Sequence, residues 1–252
     1  MRQLLKKIAY KILKPLGFDI PRQGMRTSMY GVLDQFIKLG FQPETVIDVG
    51  VAYGTFELYE KFPQTNFLLV EPLIEYEKNL KEICQRYKAQ YIMAGAGAQA
   101  GNITINVHPQ LYGSSTLKES EGSIADGVPR EIPLVVLDDL CRERNLKGPY
   151  LLKVDVQGAE LNVLDGSRQV LEDTEIIILE VSLFEFFVGG PQFYDIVSYM
   201  KERGFATYDI FGGYIRPLDG ALAQVDMVFV KENGQFRKSN FFATPQQRKQ
   251  LV

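Results

Sequence analysis

Seven short runs of this 252-residue chain are apolar almost without a break, and amphipathic stretches separate most of them. They read TVIDVG from Thr45, NFLLVEP from Asn66, AQYIMAGAG from Ala89 and YLLKVDV from Tyr150, then EIIILEVS from Glu175, FATYDIF from Phe205 and QVDMVFV from Gln224. A strand that is apolar at every position has both faces buried, so such runs belong in a parallel sheet covered by helices on each side. Helical periodicity falls at about residues 30–39, 54–62, 73–88, 159–171 and 191–203.

Two stretches break the simple alternation. Between MAGAG and YLLKVDV lies a long insert carrying strand-like NITINVHP and REIPLVVL, where one helix would suffice. The last two runs are joined by turn-rich GGYIRPLDGALA, with no helix to carry a crossover, which makes the final strand antiparallel. The expected fold is α/β and doubly wound: a mostly parallel seven-stranded sheet with an antiparallel final strand and a β-rich insert between strands 3 and 4.

Outside that core the N-terminus stands apart. MRQLLKKIAYKILKPLGF carries Arg2, Lys6, Lys7, Lys11 and Lys14 and no acid. On a helical wheel Leu4, Leu5, Ile8, Ile12, Leu13 and Leu16 share a face opposite the lysines. Packing on its own domain, packing in a homodimer, and contact with an anionic membrane surface through residues 1–16 are all consistent with that pattern. The expected organisation is a basic helix and linker over residues 1–24, the main domain over 25–232, and a polar tail over 233–252.

Composition excludes several classes. A net charge of −3 and a pI of about 5.4 offer no basic field for nucleic acid. No stretch reaches the roughly 20 apolar residues that span a bilayer. Cys84 and Cys141 make neither a metal motif nor a disulfide framework, and a cytoplasmic location, peripheral to a membrane if the basic helix docks, is the expectation. His108 is the sole histidine, so a histidine-rich metal site is ruled out.

The first strand ends in VIDVGVAYG, residues 46–54, with an acid inside an apolar run and two glycines four positions apart. Ligands of doubly wound sheets bind beyond the carboxyl ends of the strands, which is where this turn lies. Gly50 permits a tight turn, Gly54 lets the next helix begin close to a ligand, and Asp48 is costly there unless its charge is used. Some 20 residues on, Glu71 ends the second strand, placed to accept from both hydroxyls of a ribose. D-x-G-x-x-x-G is not the G-x-G-x-x-G of dinucleotide sites, and a carboxylate suits an ammonium rather than a pyrophosphate. A nucleoside with an amino-acid tail, S-adenosylmethionine, satisfies both ends.

With TVIDVGVAYGT, LLVEP, GSSTL at 113–117, VVLDDL at 135–140, LLKVDVQGAELNVLDG at 151–166 and IIILEVS at 176–182, the sequence resembles the FkbM-type family of S-adenosylmethionine-dependent methyltransferases. The resemblance runs from about residue 27 to 231, and KVDVQGAE is its most specific part; the family more often has Glu where Gln157 stands. It implies a class I methyltransferase, Rossmann-like, with Asp48, Gly50, Tyr53 and Gly54 at the methionine end, Glu71 at the ribose and Gly95, Ala96 and Gly97 beside the adenine. It also implies transfer to a hydroxyl, often of a sugar, glycan or small natural product.

A hydroxyl is a weak nucleophile and needs a base or a metal ion. Asp155 at the end of the fourth strand, Glu160 in the next helix and Glu180 near the end of the fifth strand are the candidates. Asp155, which also reaches the cofactor, is the first choice of base. The alternative has Asp155 and Glu180 holding a divalent cation such as Mg through oxygen. Structural roles compete: Glu160 pairing with Lys153 or capping its helix, Glu180 accepting backbone hydrogen bonds. His108 in the insert is a further candidate for catalysis, Ser114 and Ser115 for hydrogen bonding, while Asp138 and Asp139 serve equally as helix caps. Two other classes stay open: a nicotinamide-dependent enzyme on a related sheet, for which the needed G-x-G-x-x-G turn is absent, and a catalytically silent cofactor-binding or membrane-docked scaffold. An N-directed methyltransferase is disfavoured, since no Asn/Asp-Pro-Pro-Tyr loop follows the fourth strand.

Overall fold

The structure, a computed structural model, describes residues 26–122 and 127–249. The basic segment at residues 1–24 lies outside the described residues. Strands β1 (Thr45–Val49), β2 (Asn66–Glu71), β3 (Ala89–Met93), β7 (Tyr150–Val154), β8 (Thr174–Ser182), β9 (Phe205–Ile215) and β10 (Leu222–Lys231) form a seven-stranded sheet in the order β3-β2-β1-β7-β8-β10-β9. The pairs β1–β2, β2–β3, β1–β7 and β7–β8 are parallel; β10 is antiparallel to both β8 and β9.

All five residues of β1 and of β7 are buried, as their unbroken apolar runs require. Alternate residues of these strands feed two cores. Ile47, Leu68, Leu152 and Ile177 face one, covered by α4 (Leu137–Glu143), α5 (Glu160–Asp165), α6 (Arg168–Glu172) and α7 (Phe193–Glu202). Val46, Phe67, Leu151 and Ile178 face the other, covered by α1 (Met29–Lys38), α2 (Phe56–Lys61) and α3 (Glu77–Arg86). Phe236, from the polar tail, adds to this second core against Phe36 and Phe41, with ring centroids 4.7 and 5.8 Å away.

The helical run at 159–171 divides at Gly166. A Cβ there would lie 2.1 Å from the carbonyl oxygen of Gly97, so the chain passes too closely for a side chain. The second piece, α6, is capped from outside: Asp138 accepts from the N–H groups of Gln169 and Val170 at 3.0 and 2.9 Å. Asp138 thus caps a neighbouring helix rather than its own, an N-cap made across tertiary space.

The third apolar run also divides. β3 ends at Met93, and Gly95–Ala96 forms β4 of a second sheet with β6 (Val128–Val135) and β5 (Gly101–Val107), in the order β4-β6-β5. This small sheet is the β-rich insert. Its Ile105, Val107 and Ile132 pack on Leu73 and Tyr76, just past the carboxyl end of β2, and so roof the edge where ligands bind in such sheets.

The antiparallel strand is present as the short helix-free link requires, but it does not finish the sheet at an edge. The crossover through α7 carries the chain past one strand position, and β10 then folds back into the gap between β8 and β9. No helix among the described residues is long and apolar enough to cross a membrane.

Candidate active site

The turn after β1 is built for close approach. Gly50, Ala52 and Gly54 have φ values of 77°, 48° and 114°. A Cβ on Gly50 would lie 1.8 Å from the carbonyl oxygen of Asp155, so the ends of β1 and β7 meet only because position 50 has no side chain. Gly50 N–H donates to Val70 O at 2.9 Å and Asp155 N–H to Val49 O at 3.0 Å, tying three strand ends together.

Asp48 lies beneath this turn rather than on the cavity wall. It is fully buried, and its Oδ2 accepts from the Tyr59 hydroxyl at 2.6 Å. Its Oδ1 has no hydrogen-bond partner, only the Lys153 ammonium at 3.6 Å. Lys153 Nζ in turn reaches Asp155 Oδ2 and the Gly50 carbonyl oxygen, each at 3.3 Å. Burial alone would favour the neutral amine, but the charges of Asp155 and Asp48 hold Lys153 protonated. Burial, reinforced by the Asp48 carboxylate, keeps Tyr59 protonated as the donor. Asp48 therefore acts through Lys153 and Tyr59 on the shape of the turn.

Glu71 stands at the tip of β2. Its two oxygens accept from Ala52 N–H and Leu73 N–H, both at 2.9 Å, which fixes the carboxylate plane. Burial raises its pKa against those donors. The carboxylate borders a cavity of about 660 Å³, inside the roughly 300–1,000 Å³ span of ligand sites. Gly50, Ala52, Ala94, Gly95 and Ala96 line the same cavity. Tyr53 and Gly54 do not: Tyr53 is largely exposed and meets Tyr76 edge-on at 4.8 Å, while Gly54 packs toward Ile83 of α3.

Across the cavity, β7 and β8 bring Asp155 and Glu180 together. The Gln157 side-chain amide donates to Glu180 Oε2 at 2.6 Å and to Asp155 Oδ1 at 3.3 Å. Gln224 of β10 donates to the same Glu180 Oε2 at 3.0 Å. Burial, then the charges of Asp155 and Asp226, raise the Glu180 pKa well above the ordinary carboxylate range. Asp226, opposite Glu180 in the register, is pushed up to about 6 by burial and by Asp155.

Glu160 is buried and faces its own turn, accepting from Gly158 N–H at 3.0 Å. Lys153 pairs with Asp48 and Asp155, so no Glu160–Lys153 pair forms among the described contacts. His108 also stands off the wall; its Nδ1 accepts from Gln110 N–H at 3.1 Å. The Ser114 hydroxyl oxygen accepts from His108 N–H at 3.0 Å, and the Ser115 hydroxyl donates to Gln157 O at 2.6 Å, so GSS staples the insert to the site. Phe186, Phe187, Tyr214 and Arg216 also line the cavity, and the Arg216 guanidinium stacks 3.8 Å above the Phe184 ring.

The sequence matches the methyltransferase FkbM domain over residues 48–207. The chain belongs to the FkbM methyltransferase family. "Methyltransferase 1" of Beauveria bassiana is 28% identical over 184 residues, 64% of this chain and 72% of that protein. "Methyltransferase sdnD" of Sordaria araneosa is 29% identical over 155 residues, 48% of this chain and 59% of that protein. A solved precorrin-6y C5,15-methyltransferase from Geobacter metallireducens shares 14% identity over 84% of this chain and 92% of its own, at a TM-score of 0.44.

This FkbM methyltransferase is S-adenosylmethionine-dependent, and the residues present fit that donor. The buried Glu71 carboxylate borders the cavity as an acceptor, small residues at 94–96 line it beside Glu71, and the acids around Asp155 favour a cation. A divalent cation fits less well. Among the described residues no group of three or more His, Cys, Asp or Glu side chains is arranged to hold one. The space between Asp155 and Glu180 is bridged by an amide nitrogen, a donor that a cation would have to displace.

Proposed function

We propose that this FkbM methyltransferase acts on a hydroxyl of a sugar, a glycan or a small natural product, with Glu180 as general base. The observation that carries this reading is the asymmetric state of the Glu180 carboxylate. Two amides are bound to Oε2, and Oε1 takes no hydrogen bond among the described residues. Asp155, by contrast, is already tied to Lys153 and Gln157. A base held in one orientation, with one oxygen uncommitted at a cavity wall, suits proton removal from an O–H.

The bound donor supplies an electrophilic methyl on a cationic sulfur. Around it, the Gly50 turn and Glu71 hold the nucleoside, and Phe186 and Phe187 exclude water from the acceptor. With the donor bound, Glu180 Oε1 would take the proton of an acceptor hydroxyl aligned with that methyl. Asp155, paired with Lys153, keeps a negative charge nearby that makes Glu180 more basic and attracts the sulfonium. Because the Glu180 pKa is raised, the ionised base accumulates as pH rises through that value, and turnover rises with it.

The test is a screen of sugars and hydroxylated metabolites with isotopically labelled methyl donor, followed by Glu180→Gln on any acceptor found. Removing a general base lowers turnover by roughly 10²–10⁴-fold, while affinity for S-adenosylhomocysteine stays within a few-fold. Full activity in Glu180→Gln, or label on nitrogen rather than oxygen, would refute the proposal.

A further inference from the structure

We propose that Gln157 is the positioning residue of the carboxylate pair, its side-chain amide standing between Asp155 and Glu180 in the place of a divalent cation. This builds on the acid–base reading above. Ionised carboxylates only accept, so with both acids ionised the atom between them is the amide nitrogen, which carries two hydrogens and can serve both at once. The distances, 2.6 Å to Glu180 Oε2 and 3.3 Å to Asp155 Oδ1, show one strong and one weaker bond.

Position 157 is held for this task. Gln157 has φ 53°, a left-handed backbone that side-chain-bearing residues rarely adopt, and Gly158 follows at φ 93°. Such a conformation persists where the surroundings over-determine it. Here the surroundings are the insert and the sheet: Ser115 Oγ donates to the Gln157 carbonyl at 2.6 Å, and Ser115 itself is buried. Gln224, from β10, delivers a second amide to Glu180 Oε2 at 3.0 Å. A cation between the acids would have to displace the Gln157 amide.

The residue type decides the chemistry. With Glu at 157, three carboxylates would converge and would need a proton or a cation to coexist. With Gln the charge is lower and the bridge is internal. The charged groups facing Glu180 are Asp155 just past β7, Asp226 of β10 and Glu160 of α5, and Lys153 of β7 acts through Asp155 and Asp226. Asp48 of β1 and Glu57 of α2 act through Lys153 and Asp226 respectively. These set the background against which the amide acts.

The test reads the Glu180 carboxyl directly, by infrared titration of the full chain, with the band assigned by its loss in Glu180→Gln. In Gln157→Leu the midpoint should rise by about one to two pH units, the worth of a hydrogen bond to a charged group. Millimolar MgCl2 should leave the wild-type midpoint unmoved. Gln157→Glu should acquire Mn²⁺ binding by electron paramagnetic resonance, which the wild type lacks. Calorimetry with S-adenosylhomocysteine checks that each variant is folded. If Gln157→Leu is not, Gln224→Leu must raise the same midpoint.

An unmoved midpoint in the folded variant overturns the positioning role. Mn²⁺ binding by the wild type, or none by Gln157→Glu, overturns the equivalence to a cation. None of these readouts depends on turnover, so an active Glu180→Gln would sink the base assignment and leave this one standing.

Discussion

Gly50 and Gly40 make a matched pair for measuring what the close approach at the site is worth. Both have left-handed backbones, with φ values of 77° and 85°. An alanine methyl at position 40 would meet nothing within 4 Å, whereas at position 50 it would lie 1.8 Å from Asp155 O and 2.8 Å from its carbonyl carbon. Real contacts of that kind do not fall below 3.0 Å, so the β1 turn and the end of β7 must part by at least 1.2 Å, the difference 3.0 − 1.8.

The left-handed backbone costs an alanine about 1–2 kcal/mol at either position. Overpacking adds about 1–3 kcal/mol at position 50 only. Urea unfolding should therefore show Gly40→Ala losing about 1–2 kcal/mol and Gly50→Ala about 2–5 kcal/mol. The parting also carries Asp155 away from the cavity, and misplacement by about 1 Å can lower turnover on the order of 10²-fold. Gly40→Ala should keep full activity and full affinity for S-adenosylhomocysteine. Equal destabilisation by the two substitutions, with cofactor affinity intact in both, would refute the claim that strand ends meet through a missing side chain.

Glu71→Ala removes the acceptor of two backbone N–H groups and the carboxylate beside the nucleoside slot. Calorimetry should show affinity for S-adenosylhomocysteine falling about 10- to 100-fold, from the loss of hydrogen bonds to a charged group; unchanged affinity counts against the ribose assignment. Glu160 gives a pH signature. Burial first, then the Asp155 charge, pushes its carboxyl from the ordinary 4.5 to about 7, outweighing the backbone N–H groups that oppose the rise. The folded state therefore holds this proton more tightly than the unfolded chain. The resulting stability is full below pH 4.5 and is lost as pH rises toward 7, a change of about 3 kcal/mol. Glu160→Gln cannot titrate there, so denaturant midpoints measured from pH 4.5 to 7.5 should fall more steeply in wild type than in the variant; parallel curves would exclude the mechanism.

Much of the architecture is legible along the chain because it is written in local terms. Continuous apolar runs mark strands buried on both faces, and a link without a helix forces β10 to run backwards. The glycines at 50 and 54 announce a turn, and Glu71 announces a polar group at a strand tip. Helix boundaries are less legible: the run at 159–171 gives no sign that it divides at Gly166, where Gly97 passes too close for a side chain. The same holds for roles. Asp48 reads as a ligand-binding acid, yet it is buried beneath the turn with Tyr59 and Lys153. Asp155 reads as the natural base, yet Lys153 already engages it.

The chain by itself determined the strand inventory, the direction of the last strand and the acids available at the strand ends, since periodicity, link length and residue type are properties of neighbours in sequence. Only the tertiary structure decided that β10 lies between β8 and β9, that Gln224 thereby reaches Glu180, and that Gln157 spans the two acids with the insert fastened behind it. Apart from the local Gln157–Asp155 contact, those outcomes turn on hydrogen bonds between residues 23 to 44 positions apart. The direction and solvation of each partner exist only once the sheet has assembled and excluded water.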